Sequence, residues 1–362
     1  MNISAVSFNR LALLEQARNA IMRDGDSLSP LVAHWISQSW HRCLSQGMQP
    51  HDPVGFDPLS SAHIKRTLDQ HHELIQAARP ELERLGRAIA GTSFFPLITD
   101  AKGMVIEVGA GVDRHDRRAD VIARVGVDLS EQSVGTSAIC AALIERKPVW
   151  LHRGEHFFKD TSIYSCAGAP LWNGQGECIG MLDLTAVMSQ ERPELIHLAA
   201  MSARSISNAF LLRQPHHLLL RLNWPGRLMG DDNDGLLLLN SEGELLGANR
   251  LARDMLHWVG DTPQHANDLF AIPIGLLFDG AKQPKPMDIP LWSGLNLHVQ
   301  SILQQGYHNP SQPATTGALQ QLQLAMINQA VTHAKGNIAQ AAKALGISRA
   351  TLYRKVSRKS SH

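Results

Sequence analysis

The sequence predicts a multidomain α+β chain that closes on a small all-α unit. Two strand–turn–strand patterns, FPLITDAKGMVIEVG and SCAGAPLWNGQGECIGMLDLTA, flank one helical stretch. That order suggests an antiparallel sheet with helices laid on it. A third pattern, GLLLLNSEGELLGANRLARDML, repeats the plan further on. Finally, no aspartate or glutamate follows Asp288, although the whole chain carries a formal charge of only +1. Its positive charge is concentrated at one end, in Lys335, Lys343, Arg349, Arg354, Lys355, Arg358 and Lys359.

Residues 8–50 have helical periodicity, with Ile36, Trp40, Cys43 and Leu44 as an apolar stripe that stops at Gly47 and Pro50. A second helical segment runs from Leu59 towards Ile89 through Leu68, Leu74, Ala77, Leu82 and Leu85. It suits a cap on the next domain or a dimer or signalling helix, and the two are compatible. From Ser93 the period shifts to strands, and Asp-Ala-Lys-Gly marks the first turn. Gly135 and Thr136 open a helix with Ile139, Leu143 and Ile144 inward, and Pro148 to Leu151 is a short strand. Asn-Gly-Gln-Gly closes the second hairpin. Residues 190–213 form a helix with Leu195, Leu198, Met201, Ile206 and Phe210 near one face, suited to pairing with its copy in another subunit. Ser241-Glu242-Gly243-Glu244 is the third turn.

Gln, Pro, Thr and Gly then dominate a linker. Beyond it, Leu319, Leu322, Met326 and Ala330 make one apolar face. Gly336 suits the left-handed end of that helix, and Asn337 caps a short one lined by Ile338, Ala341, Ala342 and Leu345. Gly346 turns the chain, and Ser348 caps a third helix with Leu352 and Val356 inward. Two short helices joined by a tight turn are a helix-turn-helix, whose second helix enters the major groove. Ser348, Arg349, Ala350, Thr351, Tyr353 and Arg354 then lie nearest the base edges. Lys355, Arg358 and Lys359 suit phosphates, which position without specifying. The segment GNIAQAAKALGISRATLYRKV closely resembles the C-terminal domain of Fis and the bacterial enhancer-binding activators, over residues 318–358.

The run VGTSAICAALIERKPVWLHRGEHFF, followed by SCAGAPLWNGQGECIGMLDL, resembles the GAF sensory domain of the acetoin-catabolism and dihydroxyacetone-operon regulators. The motif I..SW.RC…G..P at Ile36–Pro50 fits the leader of the same family. Ser137 and Cys140 stand where its commonest pattern has Asn and Gly. Ala248–Ala252 resembles the start of the first helix of a PAS domain. The organisation implied is a helical leader (1–90), a GAF-like sensory domain (91–190), a connecting helix (191–222), a PAS-like domain (223–300), a linker (301–317) and the helix-turn-helix (318–362). GAF-like sheets enclose a small-molecule cavity, and the polar candidates to line it are His152, Glu155, His156, Tyr164 and Cys166.

In larger relatives an ATPase that remodels sigma-54 polymerase sits between sensor and helix-turn-helix. This sequence contains no GxxxxGK[ST] phosphate cradle. It also has no GxSxG elbow and no HExxH helix, so no enzyme activity is expected. The four cysteines are scattered without a CxxC, and the His pairs have no partner at metal spacing, so no metal is expected. No residue demands haem, flavin or another cofactor. No run of eighteen apolar residues and no secretory leader stand out, so a cytoplasmic protein away from membranes is expected. The resemblance implies a homodimeric transcription regulator, an activator, with double-stranded DNA and RNA polymerase as partners. Its effector would be a small alcohol, diol or ketone. A Fis-like architectural DNA-binding protein is the alternative.

Overall fold

The structure is a computed structural model that describes residues 12–21, 32–57, 59–258, 265–283 and 285–304. The chain divides into two compact units, Met1–Gln305 and Gly306–His362. The helix-turn-helix, with all nine of its DNA-facing candidates, lies outside the described residues, as does the linker from residue 305 onward.

The first sheet comprises β1 (Phe95–Asp100), β2 (Val105–Val108), β3 (Val149–His152), β4 (Tyr164–Trp172) and β5 (Cys178–Val187). Its order is β2-β1-β5-β4-β3, antiparallel throughout. Both expected hairpins form, and the same local chemistry closes each. Asp100 Oδ1 accepts the N–H groups of Lys102 and Met104 at 2.8 and 2.9 Å. Asn173 Oδ1 accepts those of Gln175 and Glu177 at 3.0 and 2.9 Å. Three residues on from each, Gly103 and Gly176 take φ of 91° and 82°, where a side chain would be strained.

Helices cover both faces. On one lie α4 (His72–Ala88) and α8 (Leu195–Leu212), packed over Ile98, Ala167, Ala169, Leu182 and Leu184. On the other lie α1 (12–21), α2 (His34–Ser45), α5 (Arg117–Ile122), α6 (Glu131–Val134) and α7 (Ala138–Glu145), over Leu97, Leu151, Cys166 and Met181. The segment from Leu59 is not one helix: α3 (Ser61–Gln70) ends at His71, and α4 starts again beyond it. In α7, Ser137 accepts the N–H of Cys140 at 3.3 Å while Cys140 Sγ accepts that of Ser137 at 3.1 Å. The two positions that depart from the family pattern thus make a reciprocal cap. Ile144, expected inward, is 48% exposed, because α7 ends one residue later and its last turn faces out. Met201 is likewise 64% exposed; the apolar side of α8 is occupied by α4 and the sheet of its own chain.

The second sheet holds β6 (Leu218–Asn223), β7 (Gly235–Leu239), β8 (Leu245–Ala248), β9 (Met287–Pro290) and β10 (Asn296–Leu303), in the order β8-β7-β6-β10-β9. β6 replaces part of the expected 191–222 connecting helix. Its residues LLLRLN are almost wholly buried on both sides, so no alternation distinguishes them from the helix before. β10 continues to Leu303 and takes the first residues of the expected linker. The turn after β7 repeats the device of the first sheet, with Asn240 Oδ1 accepting from Glu242 and Glu244. α9 (Arg250–Met255), α10 (Ala266–Leu269) and α11 (Ile274–Gly280) accompany an interior of Leu220, Leu222, Leu237, Leu239, Leu297 and Val299. Leu211 near the end of α8 packs on Leu219, Leu236 and Leu238 of this sheet, so one helix serves both.

Candidate functional site

Alternation along β4 and β5 sends Tyr164, Cys166 and Gly168, and Met181, Asp183 and Thr185, to the face that α5, α6 and α7 cover. Gly168 and Leu97 flank Asp183 in register, and Cys166 lies beside Thr185. Asp183 is wholly buried. Thr185 Oγ1 donates a short bond to its Oδ2, and the Cys166 thiol lies 3.5 Å from the same hydroxyl. Oδ1 has no hydrogen-bond partner among the described residues. A buried acceptor left open costs about 1–3 kcal/mol. Burial pushes the carboxyl up to about 7, against the opposing pull of the bonds from Thr185 and Cys166. Near neutral pH this group exists in both protonation states. As an acid it donates to a carbonyl; as a carboxylate it accepts from a hydroxyl.

The five sequence candidates do not form one cluster. Tyr164 and Cys166 share the Asp183 face. The Tyr164 hydroxyl donates to the Arg118 carbonyl at 2.8 Å, and burial raises its pKa. Burial, with Asp183 adding to it, also pushes the Cys166 thiol well up, so no reactive thiolate forms there. His152 points the other way, towards α4 and α8. Its ring stacks on Trp150 at 6.0 Å, and Nδ1 lies 2.8 Å from Ser165 Oγ. Glu155 Oε2 accepts the His152 N–H at 2.7 Å and so closes the turn Arg153–Glu155. His156 Nδ1 lies 2.9 Å from the Arg153 carbonyl; burial pushes this ring down to about 4, which keeps it neutral. The sequence reading missed Asp183 and Thr185. The available signal was an acid inside GMLDLTA, a strand otherwise fit for a core.

The leader motif explains itself as a clasp on this layer. Arg42 grips Glu131 through Nε and Nη2, both at 2.8 Å. Ser39 bonds Glu131 and lies 2.7 Å from Thr136 Oγ1. The indole N–H of Trp40, which is fully buried, donates to the Glu155 carbonyl at 3.0 Å. Arg18 of α1 donates to the Phe157 carbonyl. Ser39, Trp40 and Arg42 of SWHRC therefore bond to Glu131, Thr136 and Glu155, and Arg18 extends the clasp to Phe157. Among the described residues no three His, Cys, Asp or Glu side chains converge as a metal site.

Two family models match the chain. The family model described as "MimR, N-terminal domain" matches residues 14–208, and that described as "Bacterial regulatory protein, Fis family" matches residues 318–358. A signal-transduction and transcriptional-control protein of Clostridium beijerinckii is 26% identical over 223 residues, 61% of this chain and 35% of that one. The acetoin catabolism regulatory protein of Cupriavidus necator is 29% identical over 240 residues, 63% of this chain and 36% of that one. The propane 2-monooxygenase operon transcriptional activator MimR of Mycolicibacterium smegmatis is 26% identical over 196 residues, 54% of this chain and 32% of that one. The chain thus spans about a third of the length of the curated relatives it matches. Among solved structures, the E. coli DhaR(N)–DhaL complex aligns at 14% identity with a TM-score of 0.47, covering 75% of this chain and all of that one. The chain belongs to the MimR N-terminal-domain family and carries a Fis-family regulatory segment.

Proposed function

We propose that this chain is a homodimeric transcription regulator that binds double-stranded DNA through its Fis-type end and senses a small neutral metabolite in its GAF-like module. One observation carries the reading: a Fis-family segment and a MimR-type N-terminal domain occur in a single chain. The second sheet, read as a PAS-like module, transmits between them. The open oxygen of Asp183 supports a ligand that brings one hydrogen-bonding group into an apolar layer. A small alcohol, diol or ketone has that chemistry, whichever protonation state Asp183 holds. Without a phosphate cradle in this sequence, control is exerted by binding, as an activator that engages RNA polymerase rather than remodels it.

The test is a footprint and affinity measurement on the full chain against its own upstream DNA. Arg349→Ala is expected to cost about 1–3 kcal/mol and relax base preference at one position. Lys359→Ala weakens all sequences alike and flattens the salt dependence. Equal effects of both on every sequence would refute the assigned roles. Small hydroxy and carbonyl compounds that raise the melting temperature of the wild type should fail to do so for Asp183→Ala.

A further inference from the structure

A separate cleft lies where the first sheet meets α9. Two adjoining cavities, of about 320 and 290 Å³, share Trp172, Asn173, Arg250 and Asp254 as lining. Their size sits at the lower end of the range for small-molecule sites. The walls of the larger are apolar, formed by Pro148, Ala169, Ala200 and Leu211 with the face of Trp172. Its polar lining is largely committed elsewhere. Ser207 Oγ donates to the Ala203 carbonyl and accepts the Trp172 N–H, and Asn249 is bonded to Asn208, Leu236 and Ala252.

The rim is strongly basic. Lys147 and Arg204 line the larger cavity, Arg146 and Arg253 the smaller, and Arg250 both; Asp254 is the sole acid among these lining residues. The Arg250 guanidinium lies 5.3 Å from the Trp172 ring centre, and Arg253 lies 4.1 Å from that of Trp258. Arg253 also donates to the Gly174 carbonyl at 2.9 Å, which fixes the second module against the β4–β5 turn. Among the described residues Arg250 makes no ion pair and its N–H reaches the Arg146 carbonyl at 3.5 Å, whereas Lys147 lies 3.2 Å from Glu145 and Arg204 donates to Asn233 at 2.6 Å.

We propose that this cleft binds a small organic carboxylate. Its apolar body would lie against Ala169, Ala200 and Leu211, with the carboxylate on Arg250. An apolar chamber with a cationic mouth complements that charge distribution, and Arg–carboxylate bonds are among the stronger ones available. Such a ligand touches β4 and α8 of the first module and α9 of the second, so its occupancy stiffens their junction. The site is distinct from the Asp183 layer, where a carboxylate would meet a buried acid.

The experiment is calorimetric titration of the full chain with benzoate and 3-methylbutanoate, with benzyl alcohol as the neutral control. Benzoate or 3-methylbutanoate is expected to bind, and benzyl alcohol about tenfold or more weakly. Arg250→Gln should weaken the carboxylates by about tenfold. Ala200→Phe, which fills the chamber, should abolish their binding. Both variants should keep the wild-type response to compounds that act through Asp183. The proposal is overturned if neither carboxylate binds at millimolar concentration, if benzyl alcohol matches benzoate, or if binding survives intact in both variants.

Discussion

Two buried aspartates show how the two sheets of this chain differ. Asp234, just before β7 of the second sheet, and Asp183, in β5 of the first, are both fully shielded from solvent. Around Asp234 both oxygens are bonded. Arg221 donates to Oδ2 at 2.9 Å, the Gly230 N–H to the same oxygen at 2.7 Å, and Asn223 to Oδ1 at 3.0 Å. Around Asp183, Oδ2 is bonded to Thr185 while Oδ1 has no hydrogen-bond partner within reach among the described residues. The first arrangement ties a loop to a strand and needs nothing else. The second leaves one acceptor unused among the described residues. The same contrast runs through the interiors: leucines fill the second sheet, whereas Tyr164, Cys166, Asp183 and Thr185 interrupt the first.

Substitution of each acid separates the two arrangements. Asp234→Ala leaves the largely buried Arg221 guanidinium and the Asn223 amide without their shared acceptor. A loss of about 2–4 kcal/mol is expected, after allowance for the residual exposure of Arg221. Asp183→Asn, by contrast, retains volume and a hydrogen-bonding partner for Thr185, and at pH 5 is expected to change stability by less than about 1 kcal/mol. Urea unfolding of both full-length variants decides the matter. A larger loss at Asp183 than at Asp234 would mean that the half-bonded acid is the structural one.

The pH dependence sharpens the same point. An unfolded aspartate titrates near 4 and an unfolded histidine near about 6.5. In the folded chain Asp183 titrates at about 7, so between those limits the folded state holds the extra proton. Its stabilising contribution is full below about pH 4 and is lost as pH rises to about 7. His156 runs the opposite way. Its folded value of about 4 lies below the unfolded one, so its contribution is full above about pH 6.5 and is lost as pH falls. In the wild type these two slopes offset each other between about pH 4 and 6.5. In Asp183→Asn only the histidine slope remains, and the melting temperature should fall on acidification, by the equivalent of about 1–3 kcal/mol across the window. His156→Gln should instead lose stability as pH is raised towards 7. Identical melting profiles for wild type and Asp183→Asn would show that the acid titrates normally.

Much of this architecture was legible in the sequence because local chemistry specified it. The turns at Asp100, Asn173 and Asn240 each combine a side-chain acceptor with a glycine three residues later, and each hairpin formed where that pattern stood. β6 was not legible, since burial on both faces erases the period-two signal. Nor was the division of the site. His152, Glu155 and His156 are polar residues crowded in one short segment, which suggests a pocket. In space His152 turns to the opposite face of the sheet, Glu155 closes a turn and His156 bonds the loop carbonyl of Arg153. Strand parity separates His152 from Cys166, and parity across strands depends on register, which only pairing determines. Asp183 was hidden for a different reason. It belongs to the strand motif that carries the family resemblance, so it read as part of a framework.

The most local of these effects concerns the leader, which packs on the side of the sheet that holds Asp183. Trp40 is buried with its ring in the core and one polar atom to satisfy, which the Glu155 carbonyl does at 3.0 Å. Trp40→Phe keeps most of the apolar contact and removes that donor. The Glu155 carbonyl then lacks its indole partner, and the smaller ring leaves a gap. A loss of about 1–2 kcal/mol is expected. Because the same residue carries Oε2 to the His152 N–H, loosening Glu155 should also speed amide exchange at His152, well beyond the global change. Slower exchange there, or a uniform increase across the first sheet, would mean that the clasp acts on the whole module rather than on the loop it touches.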